Sequence, residues 1–334
     1  MKIIQNSFVD GVGNTPLIKL KGPSELTGCN IYGKAEYLNP GGSVKDRAAL
    51  YLIKDAEEKK LISKGGTIVE GTAGNTGIGL CLIGNSLGYK TIIVMNDNQT
   101  QEKKDLLKNI GSDLRLVPPK PYSDDGNFVK VAGRLADELR PQNNNGVVWA
   151  NQFDNVANAK AHYETTGKEI WEQTDGKVDG FICSSGTGGT ISGVSNALKE
   201  KNKDIKIYLA DPKGSSMYNY VKSGELKSEG SSITEGIGSS RVTKNFEKAR
   251  VDDAFSVDDK EALPVLYNLI KHEGLSLGTS CAINVCGAIK MAKELGPGKT
   301  IVTILCDKSD KYASKMFNKK FLDEKGLNYP DWIK

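Results

Sequence analysis

Asn39-Pro40-Gly41-Gly42-Ser43-Val44-Lys45-Asp46-Arg47 decides how the chain is read. Pro-Gly-Gly-Ser is a costly run unless the backbone must turn tightly, and it delivers Lys45 to the head of an amphipathic helical pattern. For a lysine taken at random a surface position in a helix cap is the better reading, and the preceding Pro-Gly-Gly-Ser shifts the balance. Two more glycine-rich turns lie downstream: Gly71-Thr72-Ala73-Gly74-Asn75-Thr76-Gly77 and Ser184-Ser185-Gly186-Thr187-Gly188-Gly189-Thr190. Each follows a short β-branched run and precedes a helical pattern. Thr67-Ile68-Val69 leads into a helix from about Asn75 to Leu87, ended by Gly88. Thr91-Ile92-Ile93-Val94 leads into one from about Gln101 to Ile110, ended by Gly111. Phe181-Ile182-Cys183, Ile205 to Leu209 and Thr300 to Leu305 continue the strand series. Asp258 with Glu261 resembles a capping box for a helix striped by Leu263, Leu266, Leu269 and Ile270, which Pro264 is expected to bend. Strand–helix alternation of this kind predicts an α/β fold, a parallel sheet with helices on both faces.

The chain has 334 residues, enough for two lobes, and a net charge of +4, too small to suggest a nucleic-acid partner. Lys103-Lys104 and Lys319-Lys320 read as solvated helix faces. Apolar runs such as Thr91 to Met95 and Ile301 to Cys306 have the length of buried strands, not of membrane spans. Met1 to Asn6 lacks the apolar core of a signal peptide. Six cysteines occur without a Cys-x-x-Cys pair, beside only two histidines, so no metal site is expected. Apolar contexts for most of them predict buried free thiols in a reducing compartment, hence a cytoplasmic protein.

One lysine and two glycine turns before helices are what a pyridoxal phosphate (PLP) site needs. Lys45 would hold the aldehyde as a Schiff base. Partial burial at a helix start, beside positive backbone dipole, disfavours its ammonium form. Amides of the Thr72–Gly77 turn suit a carboxylate, and Asn75 can bond a cofactor hydroxyl; the same turn also reads as a plain strand–helix connection capped by Asn75. Gly186, Gly188 and Gly189 let amides converge on phosphate oxygens, and Thr187 and Thr190 add hydroxyls. A dinucleotide fingerprint fails on spacing, since Ile191 stands where its last glycine belongs. His162 reads as a local hydrogen-bonder in a polar helix, and His272 as a cation suited to a helix C-terminus.

Together these residues resemble the PLP-dependent β-family of fold type II, nearest to cysteine synthase (O-acetylserine sulfhydrylase) and the catalytic core of cystathionine β-synthase. The resemblance runs from Val12-Gly13-Asn14-Thr15-Pro16-Leu17 to about Tyr312. It implies a two-domain, three-layer parallel-sheet fold like that of the tryptophan synthase β chain. Residues 1–39 and 156–334 would form the larger, phosphate-binding domain, and 40–155 a smaller mobile domain that closes on substrate. By the same resemblance Lys45 is the Schiff-base lysine and Asn75 bonds the cofactor's ring oxygen. Thr72, Ala73, Gly74, Asn75, Thr76 and Gln152 contact the substrate carboxylate. Gly186, Thr187, Gly188, Gly189 and Thr190 form the phosphate cup, Gly236 lines the mouth, and Ser280 meets the pyridine nitrogen. A neutral hydroxyl there makes the ring a weaker electron sink and favours prompt loss of a β-substituent. Ser280 also reads as an N-cap for the helix carrying Ala282, Val285, Ala288 and Ile289.

The implied activity is β-replacement, forming L-cysteine from an O-acetylserine-type substrate and sulfide through an aminoacrylate. Alternatives are β-elimination or hydrolysis (a cysteine desulfhydrase or a serine dehydratase), a cystathionine-type condensation, or a catalytically impaired regulatory relative. A homodimer is implied as well, with a serine acetyltransferase as a candidate partner. Ala73 stands where many relatives carry serine, Thr279, Cys281 and Ala282 replace more usual glycine and serine positions, and Asp307 to Tyr312 replace a segment usually richer in glycine.

Overall fold

The computed structural model describes residues 5–333, Ala73 excepted. Ten strands run through them: β1 (Leu17–Lys19), β2 (Asn30–Lys34), β3 (Thr67–Gly71), β4 (Lys90–Asn96), β5 (Asp113–Val117), β6 (Val147–Trp149), β7 (Gly180–Cys183), β8 (Lys206–Pro212), β9 (Asp253–Val257) and β10 (Thr300–Ile304). The chain separates into two compact units. The first holds the described residues through Gly13 and Asn39–Ala161, the second Asn14–Leu38 and the described residues from His162 onward.

In the first unit the strands are ordered β5-β4-β3-β6 and all pair in parallel. Parallel strands buried on both faces read as continuous apolar runs, and β3 is buried at all five positions. Helices Lys45–Glu58 and Asn75–Leu87 share a core of Ala49, Leu52, Ile53, Ile68, Leu80 and Ile83. Phe8, Val9 and Val12 lie against that core, and the Gly13 N–H donates to Asn39 Oδ1 at 2.8 Å. The segment before Asn14 therefore groups here, not with the larger domain in which the sequence reading of 1–39 places it. Partial burial of these three apolar side chains against the first unit's core accompanies the grouping, and no local pattern announces it.

The second unit has the order β1-β2-β10-β7-β8-β9, with only β1 antiparallel to its neighbour. Helix Thr279–Leu295 packs across β10, β7 and β8. Its Asn284 is completely buried. The side-chain Oδ1 accepts the Ser184 N–H and Nδ2 donates to the Ile304 carbonyl, both at 2.7 Å. One carboxamide thus ties this helix to the carboxyl ends of β7 and β10, the edge at which open parallel sheets bind ligands.

Two local expectations are corrected. Lys103 is not solvated; it is only 4 % exposed, whereas Lys319 and Lys320 are exposed. Asp258 does cap helix Asp259–Glu273, but its side chain accepts from the Lys260 N–H at 2.9 Å rather than from Glu261. Pro264 sits inside that helix without ending it. Among the described residues no helix is long and apolar enough to cross a membrane.

Asn284→Ala would leave a buried N–H and a buried carbonyl unpaired. The expected cost is about 2–4 kcal/mol, read as a lower urea midpoint at unchanged slope.

Candidate active site

Lys45 opens the helix Lys45–Glu58 and is partly buried. The turn before it is fixed from within: the Gly41 N–H donates to Asp46 Oδ2 at 2.6 Å, and the Lys45 N–H donates to Ser43 Oγ at 3.2 Å. The Asp46 carboxylate so fills the space beside Gly41 that a Cβ there would stand 2.6 Å from Oδ1. Lys45 is held by its backbone, and its side chain forms no hydrogen bond or ion pair with the described residues.

In the same unit, β3 ends in the turn predicted to hold a carboxylate. The helix that follows begins at Asn75 with Gly74 as its cap, so Asn75 is the first helical residue and not the capping one. The Thr72 N–H donates to the Val94 carbonyl at 3.0 Å, and the Gly74 N–H to Thr72 Oγ1 at 3.3 Å. Ala73 lies outside the described residues. Gln152, far away in sequence, comes to this turn. Its Oε1 accepts the Thr76 hydroxyl at 2.5 Å, its Nε2 donates to the Gly71 carbonyl at 3.4 Å, and its carbonyl accepts Asn158 Nδ2 at 2.9 Å. Thr72, Gly74, Asn75, Thr76 and Gln152 therefore form one cluster of neutral donors. The Lys103 stem lies behind it, with Cε 3.6 Å from where a Cβ on Gly74 would be.

In the second unit, β7 runs into the turn 184–188 and helix Gly189–Lys201. Gly186 passes so close to the 236 loop that a Cβ on it would stand 2.3 Å from the Gly236 carbonyl oxygen. Gly188 adopts φ +84°, the left-handed region, and a Cβ there would meet the Phe246 backbone at 2.6 Å. Thr243 Oγ1 donates to the Thr187 carbonyl at 2.7 Å, and the Gly238 N–H donates to the Ser185 carbonyl at 2.8 Å. Thr190 Oγ1 lies 3.2 Å from His162 Nε2, whose other ring nitrogen lies 2.9 Å from Thr166 Oγ1. His162 is thus local, as expected, but also braces the cup. It stands in a π-helical turn, His162–Thr166, and is buried.

Ser280 lies in the first turn of Thr279–Leu295 and is buried; Gly278 is the cap, so the N-cap reading of Ser280 is corrected by two residues. The segment 307–312 buttresses this helix start. The Tyr312 hydroxyl donates to Asp307 Oδ2 at 2.6 Å, and the Gly278 N–H to the Asp307 carbonyl at 3.0 Å. The Cys281 Sγ accepts the Cys306 N–H at 3.0 Å. Burial, then the Cys306 thiol and Asp307, push the Cys281 thiol well above its ordinary value, which leaves it protonated and a poor nucleophile.

These groups fit PLP. The cradle at Gly186 and Gly188 has no room for side chains, and it opens a helix whose first amides, with the Thr187 and Thr190 hydroxyls, suit a phosphate dianion. In the first unit, the partly buried Lys45 carries a primary amine of the kind an aldehyde condenses with. Three supports escape a sequence reading: Thr243, Asn284 and Glu70. Only Glu70 left a signal, an acid at the carboxyl end of an otherwise apolar strand. Gly186→Ala should lower PLP content at fixed cofactor by on the order of tenfold, about 1.4 kcal/mol, measured by the bound cofactor's absorbance.

Residues 9–307 match the family described as "Pyridoxal-phosphate dependent enzyme". The chain is 48% identical over 329 residues to "Cysteine synthase 1" of Neurospora crassa, covering 97% of this chain and 86% of that protein. It is 36% identical to a solved structure of a hydrogen sulfide-producing enzyme from Fusobacterium nucleatum, at TM-score 0.80, covering 92% of this chain and 100% of the other. It is 31% identical to the O-acetylserine dependent cystathionine beta-synthase from Helicobacter pylori, at TM-score 0.82, covering 94% and 99%. The fold-type-II resemblance is thereby established, and the chain belongs to the pyridoxal-phosphate dependent enzymes.

Proposed function

We propose that this enzyme forms L-cysteine from an O-acetylserine-type substrate and sulfide by β-replacement. The observation that carries the reading is 48% identity, across 97% of the chain, to a protein named cysteine synthase. The chemistry of the two clusters supports it.

In this reading the 72–76 turn and the side-chain amide of Gln152 hold the substrate carboxylate. The cup Gly186–Thr190 holds the cofactor phosphate, Asn75 its ring oxygen, and Ser280 its pyridine nitrogen. Bound PLP withdraws electrons from the α-carbon, which weakens the C–H bond and lets the β-substituent leave. Lys45 takes the α-proton and later returns it to the same carbon, so no histidine base is required. Acetate departs from the β-carbon and hydrosulfide adds there. A hydroxyl at Ser280, in place of a carboxylate, suits prompt β-elimination over lingering carbanion chemistry. The smaller domain, read as 40–155, is proposed as the mobile part that keeps water from the reacting centre.

A second reading is elimination without replacement, favoured by the likeness to the hydrogen sulfide-producing enzyme. A homodimer with a serine acetyltransferase partner and a cytoplasmic setting are proposed with the first reading. All six cysteines are free thiols, which suits a reducing compartment.

Lys45→Ala should lower turnover at least about a thousandfold and abolish borohydride-trapped cofactor at position 45, mapped by peptide analysis. Steady-state rates with O-acetylserine, O-phosphoserine, serine and cysteine, each with and without sulfide or homocysteine, separate the readings. Cysteine formation that requires sulfide is expected; sulfide release from cysteine alone, without replacement, would favour elimination. Light scattering should give roughly twice the 36.1 kDa chain mass.

A further inference from the structure

The acid at the end of β3 has no part in the reaction outlined above. Glu70 is fully buried in a strand whose neighbours Ile68 and Val69 are apolar. Its Oε1 accepts the Gln152 N–H at 3.4 Å, while Oε2 makes no hydrogen bond among the described residues. A buried carboxyl so sparsely satisfied costs stability, and a valine would suit the strand better. Its neighbour explains its presence. Gln152 follows Asn151, which holds a left-handed φ of +49°, and is gripped at its carbonyl by Asn158, at Nε2 by the Gly71 carbonyl and at Oε1 by Thr76. Glu70 supplies a further backbone anchor, from the strand that itself ends in the Thr72–Thr76 turn.

We propose that Glu70 is a positioning residue for the amino-acid substrate: it fixes the Gln152 peptide so that the Gln152 amide and the 72–76 turn meet the α-carboxylate together. This rests on the roles given to Gln152 and Thr76 under the proposed function. Burial pushes the Glu70 carboxyl up to about 8, against the weaker opposing pull of hydrogen bonds from Gln152 and Asn151. At pH 7 it is therefore mainly the neutral acid. It accepts a hydrogen bond without setting a negative charge behind a turn that must receive a carboxylate. Alanine would remove the carboxyl that accepts the buried Gln152 N–H, whereas glutamine keeps an acceptor of the same shape.

The test is steady-state kinetics at pH 7 and saturating sulfide, with O-acetylserine varied. Glu70→Ala should raise KM about tenfold and leave kcat within about twofold. Glu70→Gln should recover most of that loss. In a Gln152→Ala background, Glu70→Ala should add nothing further, because it acts through Gln152. If Glu70→Ala does not fold, Glu70→Met fills the space without a carboxyl acceptor and is read in its place. An unchanged KM in the alanine or methionine variant, a loss confined to kcat, a glutamine variant as impaired as alanine, or additive effects with Gln152→Ala would each overturn the proposal. Borohydride trapping at Lys45 in every variant separates lost substrate positioning from lost cofactor. Failure of the wild-type protein to turn over O-acetylserine would refute the function, not the role of Glu70. The same series is then read on whichever amino acid shifts the cofactor absorbance.

Discussion

A single buried carboxamide braces the second unit. Asn284 spends its oxygen on the Ser184 N–H and its nitrogen on the Ile304 carbonyl, and it does so from the helix that carries Ser280. Inside a protein an unmade hydrogen bond is expensive, so both strand ends are committed to one geometry. The turn 184–188 inherits that geometry. Only then can Gly186 approach the Gly236 carbonyl and Gly188 lie flat against Phe246. The two ends proposed to grip the cofactor, phosphate at one and pyridine at the other, are thus set at a fixed spacing by the scaffold.

The first unit solves a different problem with the same device, a parallel strand ending in a turn and a helix. Its polar groups are neutral: threonine hydroxyls, backbone amides and the Gln152 carboxamide. Even the acid beneath them is kept mainly uncharged by burial. A carboxylate needs directed dipoles, and a fixed cation would be less discriminating toward a phosphate or acetate competitor. The buried Lys103 side chain packs against the turn at Gly74, its Cε 3.6 Å from where a Cβ there would be.

Much of this was legible in the residues. Glycine just past a helix fixes its end, so Gly88 and Gly111 place the first unit's helices to within a residue. Glycine before a helix, after a β-branched run, marks the two turns, and their order with Lys45 carries the cofactor. What stayed hidden is set by tertiary contact. Asn284 looks like one polar position in a helix, yet its whole environment comes from strands about 20 and 100 residues away. Lys103 reads as half of a surface pair because burial is a property of the neighbours, not of the lysine. The N-terminal segment was misplaced for the same reason: Phe8, Val9 and Val12 carry no period that would name their partner.

The π-helical turn at His162–Thr166 contains, in effect, one residue more than a regular helix would use. Loss of one residue there would close the bulge into a regular turn, and because a bulge absorbs its extra residue locally, the displacement would stay within the turn that carries His162. Helix Gly167–Gln173 has no freedom to shift, since a Cβ on Gly167 would already stand 2.5 Å from Ala197. Lineages of this fold that drop the extra residue should therefore keep that helix in register and forfeit only the contact of His162 with Thr190.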